Sequence, residues 1–437
     1  MEPTTIALIT IGILMVAILC GVYVGVALAA TSVLGLWLIK GSFTAGLMIL
    51  GSTSYRAVMD YVFGVVPMFI LMGLLANLSG ASKELYDSAN ALFARIRGGL
   101  GIATVLANAI FAAITGVSVA SAAVFSKIAI PQMERLGYDK RFALGTVAGS
   151  SVLGMLIPPS ILLIVYGILT EEAIGKLFAA GVIPGILLSV VLSIGIYIMV
   201  LMKPSIGGER PVVDENEQQH FFRTLFRPWA FLVLIALVLG GIYIGWFTPT
   251  EAGAIGAMGA FLLSAIKRQL SVTALWNVLL ETGYSTASIF FLLITAQMYS
   301  RMLTISGLPG KVSGFVTAMP VAPIVIILMF MAIFLILGAF LDSTSILLVT
   351  IPLMMPAITS LNYNLIWFGV VSVVAVETGL LTPPFGMVVY AMKATLGDQT
   401  TIEEIFAGSF PFLIMMLVVL AILIAFPGLS TWLPSMM

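Results

Sequence analysis

The chain has 437 residues, of which 61% are hydrophobic and only 9% charged, and its mean hydropathy is +1.17. Soluble domains carry about 25% charged residues, so this composition indicates a polytopic membrane protein in a lipid bilayer. The formal net charge is zero, which offers no basic surface to a nucleic acid. The single cysteine, Cys20, allows no intrachain disulfide. The single histidine, His220, lies in a polar stretch, so a membrane-embedded Ser/His/Asp or zinc enzyme is disfavoured.

Apolar segments alternate with short polar stretches along the first half of the chain, and a bilayer crossing needs about 20 residues. In chain order we predict spans at Thr4–Tyr23 and Val24–Ile39, a polar stretch at Gly41–Asp60, a span at Val62–Leu78, an amphipathic connector at Lys83–Arg97, a Gly- and Ala-rich segment at Gly98–Ser126, a segment at Phe142–Leu169 and a span at Leu177–Met202.

The same order returns after a polar linker at residues 203–228. In chain order the second half has spans at Phe231–Phe247, Glu251–Ile266 and Tyr284–Tyr299, a connector at Arg301–Lys311, a Gly- and Ser-containing segment at Gly314–Ala357, a segment at Leu365–Leu396 and a last span at Ser409–Phe426.

The two halves are predicted to be internal repeats. An offset of 225 residues pairs Pro131 with Pro356 and Tyr138 with Tyr363, besides other positions. Shared membrane composition would not align Pro and Tyr at one fixed offset. We therefore divide the chain into a first repeat at 1–202, a cytoplasmic linker at 203–228 and a second repeat at 229–437.

Each repeat contains two consecutive prolines in the middle of a membrane-length apolar segment, at Pro158-Pro159 and Pro383-Pro384. Proline lacks the amide donor and its ring clashes with the preceding turn, so a broken helix is predicted at each pair. Freed backbone groups at membrane depth are tolerated only in buried or cavity-lining positions. Broken helices at matching positions of two halves point to a transporter binding site.

The segments ending near Pro131 and Pro356 are read as re-entrant helical hairpins, so each repeat has five spans, including its broken helix, plus one hairpin. Because five is odd, the second repeat is inverted relative to the first. Placing the N-terminus outside leaves few basic residues on that side, in agreement with the positive-inside rule. Those on the outside are Lys40, Arg56, Lys176, Arg301 and Lys311. Both termini are then predicted to be periplasmic.

Small and hydroxylated residues at the hairpin tips, together with the broken helices, are candidate ligands for sodium and a carboxylate. Hydroxyl and free carbonyl oxygens suit a hard cation, and helix N-termini favour an anion. The alternative is that Ser and Thr join neighbouring membrane helices. Sodium is assigned to Ser118 and Gly154 in one repeat and to Ser343 and Gly379 in the other. The full set of candidates is Thr115, Gly116, Ser118, Ser121, Gly154, Pro158, Pro159, Asp342, Ser343, Thr344, Ser345, Glu377, Thr378, Gly379, Thr382, Pro383 and Pro384.

Acidic residues near the predicted membrane centre are expected to be functional, because a charge there costs roughly 2.5–3.5 kcal/mol. Asp342 and Glu377 meet this criterion. Glu377 is predicted to neutralise a cation, directly or through another ligand, or to serve a proton-linked step; capping of a helix end is the alternative. Glu251 follows Thr248 and Pro249 and is typical of a helix start. Arg301 is expected to snorkel to the interface.

Three stretches of the sequence resemble the large membrane subunit of TRAP (tripartite ATP-independent periplasmic) transporters. They are the hairpin Ile114–Ser126, the run Gly154–Pro159 with Tyr166-Gly167, and the run Glu377–Pro384. The resemblance covers nearly the whole chain. It implies an elevator-type, sodium-coupled importer of the ion-transporter superfamily in the bacterial inner membrane. It also implies two separate partners, a small four-helix membrane subunit and a periplasmic substrate-binding protein.

The resemblance further implies an organic-acid substrate, of the C4-dicarboxylate, sialic-acid or 2-oxo-acid kind, with Na⁺ as coupling ion and no organic cofactor. The hairpins and broken helices would form a transport domain that slides against a scaffold at Val24–Leu78 and Glu251–Tyr299. Three alternatives remain: a stand-alone dicarboxylate or citrate carrier, a polytopic membrane enzyme, and a non-transporting scaffold subunit.

Overall fold

The computed structural model describes residues 2–208 and 224–437, and within these ranges the regular structure is helical apart from one isolated bridge between Tyr138 and Gly207. Seven helical segments of the described residues are long and apolar enough to cross a membrane. The chain is therefore an all-α, multi-pass membrane protein, as its composition predicted. Residues 209–223 of the predicted linker, His220 among them, lie outside the described ranges.

The described residues of the first half form eleven α-helices. They are α1 (Pro3–Leu19), α2 (Val24–Lys40), α3 (Phe43–Met59), α4 (Val65–Leu78), α5 (Ala81–Phe93), α6 (Gly99–Thr115), α7 (Ser118–Arg135), α8 (Lys140–Ser151), α9 (Leu153–Leu156), α10 (Ile161–Thr170) and α11 (Ile174–Met202).

The described residues of the second half form ten α-helices. Its helices are α12 (Trp229–Ile244), α13 (Pro249–Ile266), α14 (Val272–Ser306), α15 (Leu308–Ala318), α16 (Pro323–Gly338), α17 (Ser343–Ser360), α18 (Leu365–Gly379), α19 (Met387–Leu396) and α20 (Ile402–Ala425), followed by a short turn of helix, α21 (Gly428–Thr431).

Polar residues outside the apolar segments set many helix starts. Asp139 accepts a hydrogen bond of 3.0 Å from the Phe142 amide at the start of α8. Asn364 does the same for Trp367 in α18 at 3.0 Å. Thr248 and Glu251 form a reciprocal capping box on α13, which confirms that Glu251 begins a helix. Such caps satisfy amides that have no partner within the helix.

Two predicted boundaries around the third span are wrong. The stretch Gly41–Asp60, predicted as a polar stretch between two spans, is largely the helix α3, which starts where the Ser42 side chain accepts from the Ala45 amide at 3.3 Å. In the second half the span predicted at Tyr284–Tyr299 is part of the 35-residue helix α14. Helical periodicity with scattered hydroxyls explains both errors, because Ser and Thr within a helix can bond to the preceding turn.

The second connector and hairpin also begin later than predicted. The connector was placed at Arg301–Lys311, but α14 continues to Ser306 and ends at Gly307, whose φ is +72°. The first arm of the hairpin starts at Pro323 rather than Gly314, because Gly314 belongs to α15. Proline at the first helical position lacks only an amide that would be unpaired there.

The helices pack in two groups that each contain members of both halves. The frame helices are α1–α4 and α12–α14, with α4 against α13 and α2 against α14. The tip helices are α6–α11 and α16–α20, with α8 against α20 and α16 against α18. In sequence, α5 leads from the frame helices to the tip helices in the first half, and α15 does so in the second.

Candidate functional site

The tip of the first hairpin rests on the first proline pair. Gly116 turns the chain between α6 and α7 with φ +64°, and its carbonyl accepts a hydrogen bond of 3.3 Å from the Ile161 amide. A Cβ at Gly116 would lie 2.6 Å from the Pro159 carbonyl oxygen. Because this contact is with backbone, only glycine allows the tip to approach so closely.

The first helix break is buried and closed by its own polar groups. Pro158 and Pro159 are both buried. Ser160 starts α10 by accepting from the Leu163 amide at 3.2 Å, and its hydroxyl donates back to the Met155 carbonyl. On the other side of the tip, a Cβ at Gly154 would lie 2.9 Å from the Val117 carbonyl oxygen. The tip is therefore held between α9 and α10.

The second hairpin tip meets the second proline pair in a parallel way. The Phe385 amide donates to the Ala339 carbonyl at 3.2 Å, just as Ile161 donates to Gly116. A Cβ on Gly338 would lie 2.6 Å from the Cα of Gly379, so α16 and α18 touch through glycine. The two proline pairs differ in exposure to solvent: Pro383 and Pro384 are exposed, whereas the first pair is buried.

Glu377 joins the two hairpins. Its side chain is fully buried in the last turn of α18, and its Oε1 accepts a hydrogen bond of 2.7 Å from the Ser343 hydroxyl. The Ser118 hydroxyl faces the same carboxylate without the geometry of a hydrogen bond. Ser118 and Ser343 are the first residues of α7 and α17 and are related by the 225-residue offset. Both tips therefore converge on one carboxylate.

Several other candidate hydroxyls donate to the backbone carbonyl four residues earlier in the chain. Thr115 donates to the Phe111 carbonyl at 3.1 Å, and Thr378 donates to the Val374 carbonyl at 2.6 Å. Thr382 donates to the Thr378 carbonyl at 3.2 Å. These hydroxyl oxygens keep lone pairs for a ligand, but their protons are already engaged.

The remaining candidates of the second tip differ from one another. Asp342 is only partly buried and caps α17 by accepting from the Ser345 amide at 2.9 Å. The hydroxyl of Ser345 is buried without a hydrogen-bond partner among the described residues. Thr344 is partly buried. The structure thus places Asp342 at the turn and Ser345 inside the protein.

Sequence reasoning missed a buried polar chain behind the first tip. Ser121 donates to Asn108 Oδ1 at 2.8 Å, and Asn108 Nδ2 donates to the Ser150 hydroxyl at 2.6 Å. All three side chains are fully buried. The available signal was an asparagine inside an otherwise apolar hairpin, because a buried amide requires partners.

A cleft of about 470 Å³ lies beside the first tip. Its walls come from α4, the tip of the first hairpin, the start of α10 and the middle of α14. Polar groups on the walls include Asn77, Thr115, Glu281, Ser285 and Ser288. The cleft is large enough for a small organic molecule next to two helix N-termini.

Comparison with proteins of known sequence identifies the family of the chain. Residues 11–429 match the family described as the tripartite ATP-independent periplasmic transporter, DctM component. The chain is 35% identical to the C4-dicarboxylate TRAP transporter large permease protein DctM of Pseudomonas aeruginosa, covering 86% of each chain. It is 29% identical to the sialic acid TRAP transporter large permease protein SiaM of Vibrio cholerae, covering 86% of this chain and 87% of that one.

The fold is also found among solved structures. The crystal structure of the Alcanivorax borkumensis YdaH transporter superposes with a TM-score of 0.64 at 17% identity, covering 88% of this chain and 89% of that one. This likeness concerns the fold alone. The family match over nearly the whole chain is what identifies the protein: it belongs to the DctM component family of tripartite ATP-independent periplasmic transporters and is a TRAP transporter large permease.

Proposed function

We propose that this chain imports a carboxylate-bearing organic acid together with sodium ions, as the transport subunit of a binding-protein-dependent complex in the bacterial inner membrane. The observation that carries the proposal is the meeting of two hairpin tips and two broken helices around Glu377. Relatives named for C4-dicarboxylate and for sialic acid support an acid substrate. The partners would be a small four-helix membrane subunit and a periplasmic substrate-binding protein.

Two cation sites are proposed, one where each tip meets its broken helix. Ser118 and Gly154 belong to the first site, and Ser343 and Gly379 to the second. The close approach at Gly154 places the Val117 carbonyl beside it, and the close approach at Gly379 places the Leu335 carbonyl beside it. Carbonyl and hydroxyl oxygens are suitable ligands for a hard monovalent cation, and Thr344, Thr378 and Thr382 carry further oxygens nearby.

The acid would bind in the cleft beside the first tip. The starts of α7 and α10 border this cleft, and helix N-termini attract a carboxylate through their free amides and dipole. The predicted topology places the end of α4 and the start of α14 toward the cytoplasm. The cleft would then be the release side for an imported substrate.

An elevator movement is proposed for the tip helices relative to the frame helices. Each group contains both halves of the chain, and α5 and α15 connect the groups. Sodium would fix the two tips, and the loaded group would then slide across the membrane. Both chain termini would face the periplasm.

Uptake into proteoliposomes tests the proposal. The chain is reconstituted with its small subunit, the binding protein is added outside, and labelled succinate and N-acetylneuraminate are compared under sodium and potassium gradients. We expect sodium- and binding-protein-dependent uptake of one acid. Uptake without the binding protein would favour a stand-alone carrier. A folded complex that takes up neither acid, nor a labelled 2-oxo acid, would refute the transport function.

A further inference from the structure

Glu377, the buried acid that faces both tips, belongs to the second half of the chain. Glu377 lies in α18, and the equivalent position of the first half, 225 residues earlier, is Val152. The first tip therefore has no carboxylate of its own in the equivalent place. Its leading serine, Ser118, instead faces the carboxylate of the second half.

The environment of Glu377 favours contact with the hairpins over capping of its own helix. The carboxylate is in the last turn of α18, where the helix dipole disfavours negative charge. None of the ion pairs among the described residues involves Glu377. Ser118 and Ser343, by contrast, stand at the N-terminal ends of α7 and α17, which favour an anion.

The two hairpin tips differ in their hydrogen bonding to the Glu377 carboxylate. Ser343 donates to Oε1, whereas Oε2 and the Ser118 hydroxyl are both buried without a hydrogen-bond partner. Buried oxygens without a hydrogen-bond partner are costly. A hydrogen bond from the Ser118 hydroxyl to the Glu377 carboxylate would satisfy both groups.

We propose that Glu377 is a positioning residue shared by the two hairpins, which makes cation binding at one tip depend on cation binding at the other. An ion that draws the first tip into place lets Ser118 bond to the carboxylate, and this contact fixes the end of α18 beside Gly379. The inference rests on the sodium coupling proposed above. It adds that the two sites act as a coupled pair through one side chain.

The test is a mutant cycle on sodium affinity, using the complete complex. The sodium concentration for half-maximal uptake and the Hill coefficient are measured for wild type, Glu377→Gln, Ser118→Ala and the double variant. Site coupling is typically worth about 5-fold or more in affinity. We expect Glu377→Gln to raise the half-maximal sodium concentration about 5-fold or more and to lower the Hill coefficient toward one.

The cycle separates this role from simple structural support. If Glu377 acts through Ser118, adding Ser118→Ala to Glu377→Gln has little further effect, whereas additive losses would overturn the proposal. Glu377→Asp, which keeps the charge, should recover part of the Hill coefficient. An unchanged sodium dependence in Glu377→Gln would also overturn it.

Thermal unfolding gives a readout that does not depend on transport. The rise in Tm on replacing KCl by NaCl reports ion binding to the folded protein. We expect a large sodium-specific rise in wild type and a much smaller one in Glu377→Gln. If wild type shows a sodium-specific rise in Tm but no uptake, the result counts against the proposed transport function and not against the role of Glu377. The same rise in Glu377→Gln as in wild type would count against the role of Glu377.

Discussion

The Ser343 hydroxyl donates a 2.7 Å hydrogen bond to the Glu377 carboxylate, while the equivalent hydroxyl of the first half, Ser118, makes no hydrogen bond among the described residues. Two serines that the 225-residue offset pairs thus differ in how they hold their tips. The second tip is bonded to the carboxylate and the first only faces it.

This difference predicts unequal effects on stability. Ser343→Ala removes the one hydrogen-bond donor to a buried carboxylate, which costs about 1–3 kcal/mol. Ser118→Ala removes no hydrogen bond and should cost less. Thermal unfolding of the purified protein in sodium-free buffer measures both, and an equal or larger loss in Ser118→Ala would contradict the assignment.

Close backbone contact predicts that Gly154 tolerates no side chain. A Cβ there would lie 2.9 Å from the Val117 carbonyl carbon and oxygen, so Gly154→Ala must displace the hairpin tip, and such overpacking costs about 1–3 kcal/mol. We expect loss of sodium-dependent uptake and a lower Tm. Gly12→Ala is the control, because no atom lies within 4 Å of a Cβ at that position of α1. Wild-type uptake in Gly154→Ala would show that the tip does not need this contact.

The buried chain through Asn108 predicts a stability effect behind the first tip. Asn108→Ala leaves the Ser121 hydroxyl without its acceptor and removes a donor to Ser150. Hydrogen bonds between membrane helices are worth about 1 kcal/mol, so a loss of roughly 1–2 kcal/mol is expected. Thr31→Val is a matched control, because the buried Thr31 hydroxyl bonds only to carbonyls of its own helix. Equal losses in the two variants would argue against a special role for the chain.

An ion pair ties the first connector to the frame helices. Lys267, just after α13, lies 2.5 Å from Glu84 of α5 and 4.5 Å from the centre of the Phe231 ring. Both charged side chains are about a quarter exposed, so solvent screening limits the pair to about 1 kcal/mol or less. Lys267→Ala should lower Tm slightly and change the uptake rate. The swap Glu84→Lys with Lys267→Glu should restore part of both, and a swap no better than the single variant would exclude a specific pairing.

Acid should loosen the contact between α8 and α20. The Lys140 ammonium of α8 lies 3.0 Å from the Glu404 carboxylate in the first turn of α20. Protonation of this carboxylate in acid removes its negative charge and with it the attraction to Lys140. Tm measured from pH 7 to pH 3 should therefore fall less steeply for Glu404→Gln than for wild type. Parallel curves would refute the contribution.

Much of the architecture could be predicted from the sequence, because membrane helices depend on local properties. Apolar length gives the spans, proline pairs give the breaks near residues 158 and 383, and small residues with hydroxyls mark the two tips. These features act within a few residues of chain. Helix ends were predicted less well, since the hydroxyl-rich stretch at Gly41–Asp60 can form a helix or a loop, and the fold makes it the helix α3.

The tertiary structure alone decided which of the candidate residues meet. Ser118 and Glu377 are 259 positions apart in the chain, and no local pattern indicates that one carboxylate faces both tips. Asn108, Ser121 and Ser150 likewise form a chain only because α6, α7 and α8 pack together. The helices, their breaks and the family follow from local features of the amino-acid sequence. The partners of each buried polar group depend on the packing of distant segments, and only the folded chain fixes them.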